Sequence, residues 1–177
     1  MAWITHRWSR PNMRKVGPLA TAIDRLDAQG YVNVDRRTLA QVEPWLRWSP
    51  ALCTLVMAIG TVLASQWILW GLAPFALAGA LFPRHPFDYI YNLGARRLTG
   101  TPSLPRNGAP RRFACGVATV WLVATGAAFA AGLAVLGYVL GGMLSAVAAL
   151  VATTHFCIPS LTYSLLFGRP ARAEEPQ

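Results

Sequence analysis

Residues 113–168 read FACGVATVWLVATGAAFAAGLAVLGYVLGGMLSAVAALVATTHFCIPSLTYSLLFG, and these 56 residues include no Lys, Arg, Asp or Glu. A helix that crosses a membrane needs roughly 20 mainly apolar residues, because a rise of about 1.5 Å per residue must span about 30 Å of hydrocarbon. This stretch is therefore long enough for two crossings and the turn between them. Residues 48–83 form a second uncharged stretch, of 36 residues, which predicts two shorter crossings.

The charged residues are few and are confined to three segments. They make up 13% of the 177 residues, about half the share in a soluble domain. All 16 basic and seven acidic residues lie in 1–47, 84–112 or 169–177, so the net charge of +9 is typical of a membrane surface rather than of a nucleic-acid-binding protein. If each uncharged stretch is a hairpin, these segments share one side of the bilayer, and the excess of arginine makes that side cytoplasmic.

We therefore predict an all-α membrane protein with four transmembrane helices arranged as two hairpins and with both termini in the cytoplasm. The transmembrane domain covers 48–168, with crossings at 50–65, 67–82, 113–132 and 137–157, a cytoplasmic loop at 83–112 and a tail at 169–177. Residues 1–47 form a basic cytoplasmic arm that we expect to lie along the membrane or against a partner. It contains an amphipathic helix over 18–29 and a second helix that Asp35 caps and Pro44 interrupts.

Aromatic and basic side chains in the arm and the loop suit lipid headgroups. Tryptophan rings favour the interface, and arginine favours anionic lipid. The candidates are Trp3, Arg7, Trp8, Arg10, Arg96, Arg97, Arg111 and Arg112. A disordered tail is the alternative for residues 1–17.

Small residues recur at every fourth position in the second half of the chain. The third crossing has Ala124, Ala128 and Gly132, and the fourth has Gly137, Gly141, Ser145, Ala149 and Thr153. Small side chains let helices in lipid approach closely. We predict that the third and fourth helices pack together through these faces, and a face reserved for another subunit is the alternative.

Three cysteines fall near the cytoplasmic ends of three predicted crossings. Cys53 is in the first turn of the first helix, Cys115 in the first turn of the third, and Cys157 near the end of the fourth. If the helices converge, these thiols together with His155 could hold a metal or relay a thiol reaction. The alternative is that each cysteine is a small apolar packing residue. No pair has the spacing of metal ligands, and thiols of the cytoplasm stay reduced.

His155 is the only histidine in either uncharged stretch. Ionisable groups within a membrane tend to have functions. A free ring nitrogen of His155 could ligate a haem or a chlorophyll-type pigment, including a bacteriochlorophyll. The alternative is a structural residue near the interface that is bonded to Thr154, to Ser160 or to water.

Several short motifs, in their order and spacing, resemble those of one family. They are Val34-Asp35-Arg36-Arg37, His85-Pro86-Phe87, Pro110-Arg111-Arg112-Phe113-Ala114, and Phe156-Cys157-Ile158-Pro159-Ser160 followed by Tyr163. Together they span about 34–169 and resemble an uncharacterised bacterial family of small integral-membrane domains, a domain of unknown function. The resemblance implies a four-helix fold in the bacterial cytoplasmic membrane and no assigned activity. Many members have Phe-Cys-x-x-Cys where this chain has Cys157 and Ser160, which argues against a two-thiol redox role here.

The sequence has no Ser/His/Asp arrangement, paired intramembrane carboxylate, phosphate loop or zinc signature, so we do not predict an enzyme. The first hypothesis is a non-catalytic accessory subunit of a larger respiratory or photosynthetic complex of the inner membrane, whose partners are the lipid bilayer and other membrane subunits. The second is a membrane protein that handles thiols or sulfur through Cys157. The third is a pigment- or haem-binding protein that uses His155.

Overall fold

A computed structural model of the chain describes residues 21–31 and 34–168, and every regular element in these ranges is helical. In chain order the helices are α1 (Ala22–Ala28), α2 (Arg36–Val42), α3 (Trp48–Val62), α4 (Gln66–Leu81), α5 (Pro86–Ile90), α6 (Arg96–Thr99), α7 (Ala109–Ala130), α8 (Ala134–Thr154) and α9 (Ile158–Phe167). A 3₁₀ turn, Pro44–Arg47, leads into α3, and a π-helical turn, Tyr91–Ala95, joins α5 to α6. The predicted headgroup residues Trp3, Arg7, Trp8 and Arg10 lie outside the described residues.

Three helical segments are long and apolar enough to cross a membrane, namely Pro44–Val62, Ala109–Ala130 and Ala134–Thr154. Helix α4 has 16 residues, which cover about 24 Å. It passes the same test only together with Pro86–Thr99, from which it is bent by 83°. The described part of the chain is thus an all-helical protein with three helices, or four with this bent pair, that could span a membrane.

The two short helices of the arm follow from local sequence. Asp35 begins α2, since its carboxylate accepts a hydrogen bond of 3.0 Å from the Thr38 N–H, as an N-cap residue does. Pro44 ends the α-helical turn after Val42. Helix α1 ends just before Gly30, whose φ of 99° is a left-handed conformation that favours glycine.

The four long helices pack around one apolar core. Helix α4 lies along α7, α3 lies along α8, and the members of each hairpin also contact each other. The buried core side chains include Met57, Leu69, Leu72, Leu122, Phe129 and Leu144. Gly126 of α7 lies against the indole of Trp70 on α4, which an added Cβ would meet.

The predicted stripe of small residues on α8 faces two different neighbours. Gly137 lies against the ring of Phe129 on α7, but Gly141 lies against Thr61 on α3. Ser145 and Ala149 are half-buried. Because α8 packs between α3 and α7, one face of small residues cannot serve α7 alone.

Only one of the three residues in the predicted stripe on α7 is buried. Ala128 is buried, whereas Ala124 and Gly132 are exposed. Gly132 has a φ of 74° in the turn after α7, and an added Cβ would meet nothing within 4 Å. Helical spacing can identify a row of small residues on α7 but not the neighbour of each one, and the buried glycine that a neighbouring side chain covers is Gly126.

The described part of the N-terminal arm packs on the protein's own helices. Its apolar side chains and those of the middle loop form a second core, which contains Leu26, Tyr31, Leu39, Val42, Leu46, Tyr91 and Leu104. One side chain of α1 and one just after it bind carbonyl oxygens at the end of α8. Arg25 Nη1 donates to Thr154 O at 2.8 Å, and Gln29 Nε2 donates to His155 O at 2.7 Å. These bonds satisfy acceptors that a helix end leaves free. The arm thereby closes one end of the helix bundle.

Candidate functional site

A cavity of about 150 Å³ lies among α3, α4, α7 and α8, beneath the arm. Most of its wall is apolar, with Met57, Leu72, Leu122 and Leu144 at the deep end. The polar lining groups are Gln29, Ser49, Cys53, His85, Arg111, Cys115 and Cys157. The cavity is therefore an apolar chamber with one polar end, which is the usual composition of a small-molecule site.

The three cysteines line this one cavity although they come from α3, α7 and the start of α9. All three are free thiols. Cys53 Sγ lies 3.9 Å from His85 Nε2. Within 21–31 and 34–168 no group of three His, Cys, Asp or Glu side chains is arranged to hold a metal ion. The three thiols thus line one cavity, but the described residues do not form a set of metal ligands.

Cys157 differs from the other two thiols in its surroundings. It is the N-cap residue of α9, where the helix presents free N–H groups and a partial positive charge. Ser160 Oγ lies 3.1 Å from Cys157 Sγ and 3.1 Å from Pro110 O. The hydroxyl has one proton and can donate it to only one of these acceptors at a time. It can therefore bond Pro110 O while the cysteine is a thiol and turn to Sγ when the cysteine is a thiolate.

Arg111 is buried at the polar end of the cavity, so its predicted role at lipid headgroups is wrong. Arg111 is only 7% exposed. Its Nη1 donates to Gln29 Oε1 at 3.2 Å, and its guanidinium lies 5.6 Å from the centre of the Tyr31 ring. The physical reason is that α7 begins at Ala109, which puts Arg111 in the first helical turn, beneath the arm.

His85 begins α5 and is held by local hydrogen bonds. Its ring Nδ1 accepts the backbone N–H of Phe87 at 3.3 Å, and its backbone N–H donates to Asp88 Oδ2 at 3.1 Å. Since Nδ1 is an acceptor, the ring proton of the neutral form is on Nε2. Burial, together with the positive charge of Arg111, lowers the pKa of His85 to about 4. The imidazole that faces Cys53 is therefore neutral near pH 7.

His155 lies outside the cavity and ties the arm to the end of α8. It is 1% exposed, and its Nε2 lies 2.7 Å from Glu43 Oε1 and 3.0 Å from Arg47 Nε. Burial lowers the pKa of His155 although Glu43 opposes the shift. Its φ of 57° is left-handed. The structural alternative predicted contacts with Thr154, Ser160 or water, but the ring contacts Glu43 and Arg47 instead. Both contacts are made at Nε2, so this nitrogen has no open position for a pigment metal.

The remaining predicted headgroup residues have different surroundings. Arg112 is half-buried, and its Nε and Nη2 donate to Ala80 O and Leu81 O, both at 2.8 Å. It thus binds free carbonyl oxygens at the end of α4. Arg96 and Arg97 are exposed on α6.

Sequence reasoning missed Arg111, Gln29 and His85 as lining residues of the cavity. One signal could have found Arg111: Pro110 is a typical first-turn residue, so the helix begins before Arg111 rather than at Phe113. No comparable signal marks Gln29, because its place depends on how the arm packs against α7.

Residues 43–167, more than two thirds of the chain, match a family model described as a domain of unknown function, DUF4395. The matched range includes the three cysteines, His85, Arg111 and His155, but not Gln29. No curated protein and no solved structure matches the chain. The match confirms the family resemblance that the short motifs indicate, and the chain belongs to the DUF4395 family of domains of unknown function.

Proposed function

We propose that this chain is a membrane thiol protein in which Cys157 is the reactive group. The observation that carries the proposal is the position of Cys157, at the N-terminus of a helix and on a cavity that also holds a buried arginine. The thiolate is the nucleophilic form of cysteine, and helix N-termini and neighbouring cations favour it. Cys53 and Cys115 line the same cavity but lie within the spans α3 and α7 rather than at a helix N-terminus.

The reaction class is nucleophilic exchange at sulfur. The Cys157 thiolate attacks a sulfur atom of a bound disulfide or persulfide, an S–S bond to Cys157 forms, and the second sulfur leaves as a thiolate. No external oxidant is required, because one S–S bond replaces another. Ser160 Oγ is placed to donate to Sγ while it carries the charge.

Alkylation rates of the full-length protein in detergent test this proposal. We expect iodoacetamide to modify Cys157 about tenfold faster than Cys53 or Cys115, because reactivity follows thiolate character. Mass spectrometry of the digested protein measures each site. Ser160→Ala is expected to slow Cys157 only, and Cys115→Ala serves as a matched control that leaves Cys157 fast. Equal rates at all three cysteines would show that Cys157 is not a specially reactive thiol.

We also infer that α3, α4, α7 and α8 cross the bacterial cytoplasmic membrane, with both termini in the cytoplasm. The support is that the uncharged turns at 63–65 and 131–133 lie at one end of the bundle, since Thr61 near the end of α3 contacts Gly141 near the start of α8. In intact spheroplasts, a membrane-impermeant thiol reagent should label Leu133→Cys and not Leu98→Cys. The reverse pattern would invert the topology, and labelling of both would exclude the two-hairpin arrangement.

The accessory-subunit role stays a prediction. An open groove of about 810 Å³ along α7, lined by Ala80, Gly116, Val120 and Ala124 among others, is where a partner's helix could pack. Purification in gentle detergent tests the role. A co-purifying membrane protein would support it, and a free monomer of 19.2 kDa would count against it.

A further inference from the structure

We propose that Arg111 makes the cavity a binding site for small anions that carry an apolar body, and that it holds the anionic group beside Cys157. The ligand class is a carboxylate or a sulfur oxyanion attached to a short alkyl or single-ring body. The inference rests on the proposed function, because a disulfide or persulfide that carries such an anionic group would be held where the reactive thiol can attack it.

The first step is the charge of Arg111. A buried guanidinium loses several kcal/mol of hydration unless charged or polar partners replace the water. The ion pairs among the described residues join Arg36, Arg47 and His155 to acidic groups, and none of them includes Arg111. Arg111 has five N–H donors, and Gln29 Oε1 is the protein acceptor that the described residues provide. The guanidinium therefore has donors to spare for an anion.

The second step is the carboxylate nearest to the site. Asp88 is buried and interacts with Arg111 at longer range. Its Oδ2 already accepts the backbone N–H of His85 at 3.1 Å. Because the helix cap holds Asp88 in place, its carboxylate stays more than an ion-pair distance from the guanidinium and leaves the position beside Arg111 to a ligand.

The third step is the shape of the cavity. A volume of about 150 Å³ is the size of cavity that accepts a benzene-sized molecule. The deep end offers Met57, Leu72 and Leu122, which suit an apolar body, and the polar end offers Arg111. An inorganic anion alone would leave the deep end empty, and a neutral apolar molecule would leave the guanidinium without an anionic partner. An anion with a small apolar body satisfies both ends.

The fourth step is the position of the guanidinium in the cavity that Cys157 also lines. Gln29 is fixed because its Nε2 donates to His155 O at 2.7 Å, and this leaves its Oε1 for Arg111. Cys157 and Cys115 both line this cavity with Arg111, and the guanidinium interacts electrostatically with both thiols. An anion bound at Arg111 thus lies in the same cavity of about 150 Å³ that Cys157 lines, within reach of Sγ.

The test compares two alkylating reagents that differ mainly in charge, iodoacetate and iodoacetamide. With either one, Cys157 Sγ bonds to the CH₂ carbon, the C–I bond breaks and iodide leaves. We expect the ratio of the iodoacetate rate to the iodoacetamide rate at Cys157 to exceed the ratio for free cysteine about tenfold, as one charge-assisted hydrogen bond would produce. Arg111→Gln should return the ratio to that of free cysteine, and Arg111→Lys should give an intermediate ratio.

Arg112→Gln is the matched control, because it removes the same charge at the next residue. The Arg112 side chain binds carbonyl oxygens of α4 and does not line the cavity. The ratio for this variant should equal that of the parent. A second measurement needs no variant: benzoate should protect Cys157 of the parent from iodoacetamide, and benzamide should not.

The outcomes separate this inference from the proposed function. Fast iodoacetamide labelling of Cys157 with a ratio equal to that of free cysteine, and no protection by benzoate, overturns the anion site and leaves the thiol role standing. If Cys157 reacts with neither reagent, the thiol role fails, and the anion site is then decided by thermal unfolding. A rise of the Tm with benzoate in the parent but not in Arg111→Gln supports the site, and no rise overturns it.

Discussion

Gly108→Ala is expected to lower the free energy of unfolding by about 2–3 kcal/mol, as overpacking of a close contact does. An added Cβ at Gly108 would lie 2.5 Å from Gly30 O and 2.6 Å from Gly30 Cα. These are backbone atoms, so no side-chain rotation can relieve the contact. The start of α7 and the end of α1 would have to separate. Thermal unfolding in detergent, followed by circular dichroism of the helices, measures the loss.

Two glycines provide matched controls for this substitution. Gly142 lies within α8, and an added Cβ there meets nothing within 4 Å, so Gly142→Ala should be neutral or stabilise by up to about 1 kcal/mol. Gly100 also has free space but a φ of 66°, so Gly100→Ala should cost only the conformational strain of about 1–2 kcal/mol. If Gly108→Ala unfolds at the same temperature as Gly142→Ala, the close contact between the arm and α7 does not exist.

The same contact also matters for the candidate site. Gly30 follows Gln29 directly, and Gly108 precedes Arg111 by three residues, less than one turn of α7. The close contact of Gly30 and Gly108 therefore places the Gln29 amide beside the Arg111 guanidinium. In Gly108→Ala we expect the anion preference at Cys157 to weaken even in molecules that remain folded.

The long helices were predictable because a bilayer imposes a length and excludes charge, and both properties can be counted in a sequence. The predicted crossing at 137–157 corresponds to α8, Ala134–Thr154. The end of α8 was harder to predict, because the break occurs at His155 in a left-handed conformation and precedes Pro159. A proline marks where a helix cannot continue, but it does not mark which residue before it turns.

The candidate site was predictable only in part. Equal depth of the three cysteines follows from helix positions, and all three line the cavity. The burial of Arg111 does not follow from such positions, since it depends on α1 and α9 covering the start of α7. The partners of His155 were out of reach for the same reason: Glu43 lies 112 residues before it in the chain. Local sequence limits which neighbours a side chain can have only within a few residues.

His85→Asn is expected to remove a loss of stability that the parent shows on acidification. The pKa of His85 in the folded protein is about 4, below the ordinary value of about 6.5. Between these two pH values the unfolded chain binds a proton that the folded protein does not, so acidification stabilises the unfolded state relative to the folded state. The stabilising contribution is therefore complete above about pH 6.5 and is lost as the pH falls to 4. The shift corresponds to about 3 kcal/mol at most.

Asparagine suits this position because it does not titrate and is a favoured N-cap residue, able to accept the Phe87 N–H. The bond to Asp88 comes from the backbone N–H of residue 85 and is kept. The groups that face the ring are Cys53, Arg111 and Phe87, and the substitution leaves all three in place. The smaller side chain lowers stability equally at every pH, so the difference between parent and variant is the quantity of interest. Thermal or denaturant unfolding from pH 7.5 to 4 should show that difference shrinking as the pH falls, whereas parallel curves would mean that His85 is not buried in its neutral form.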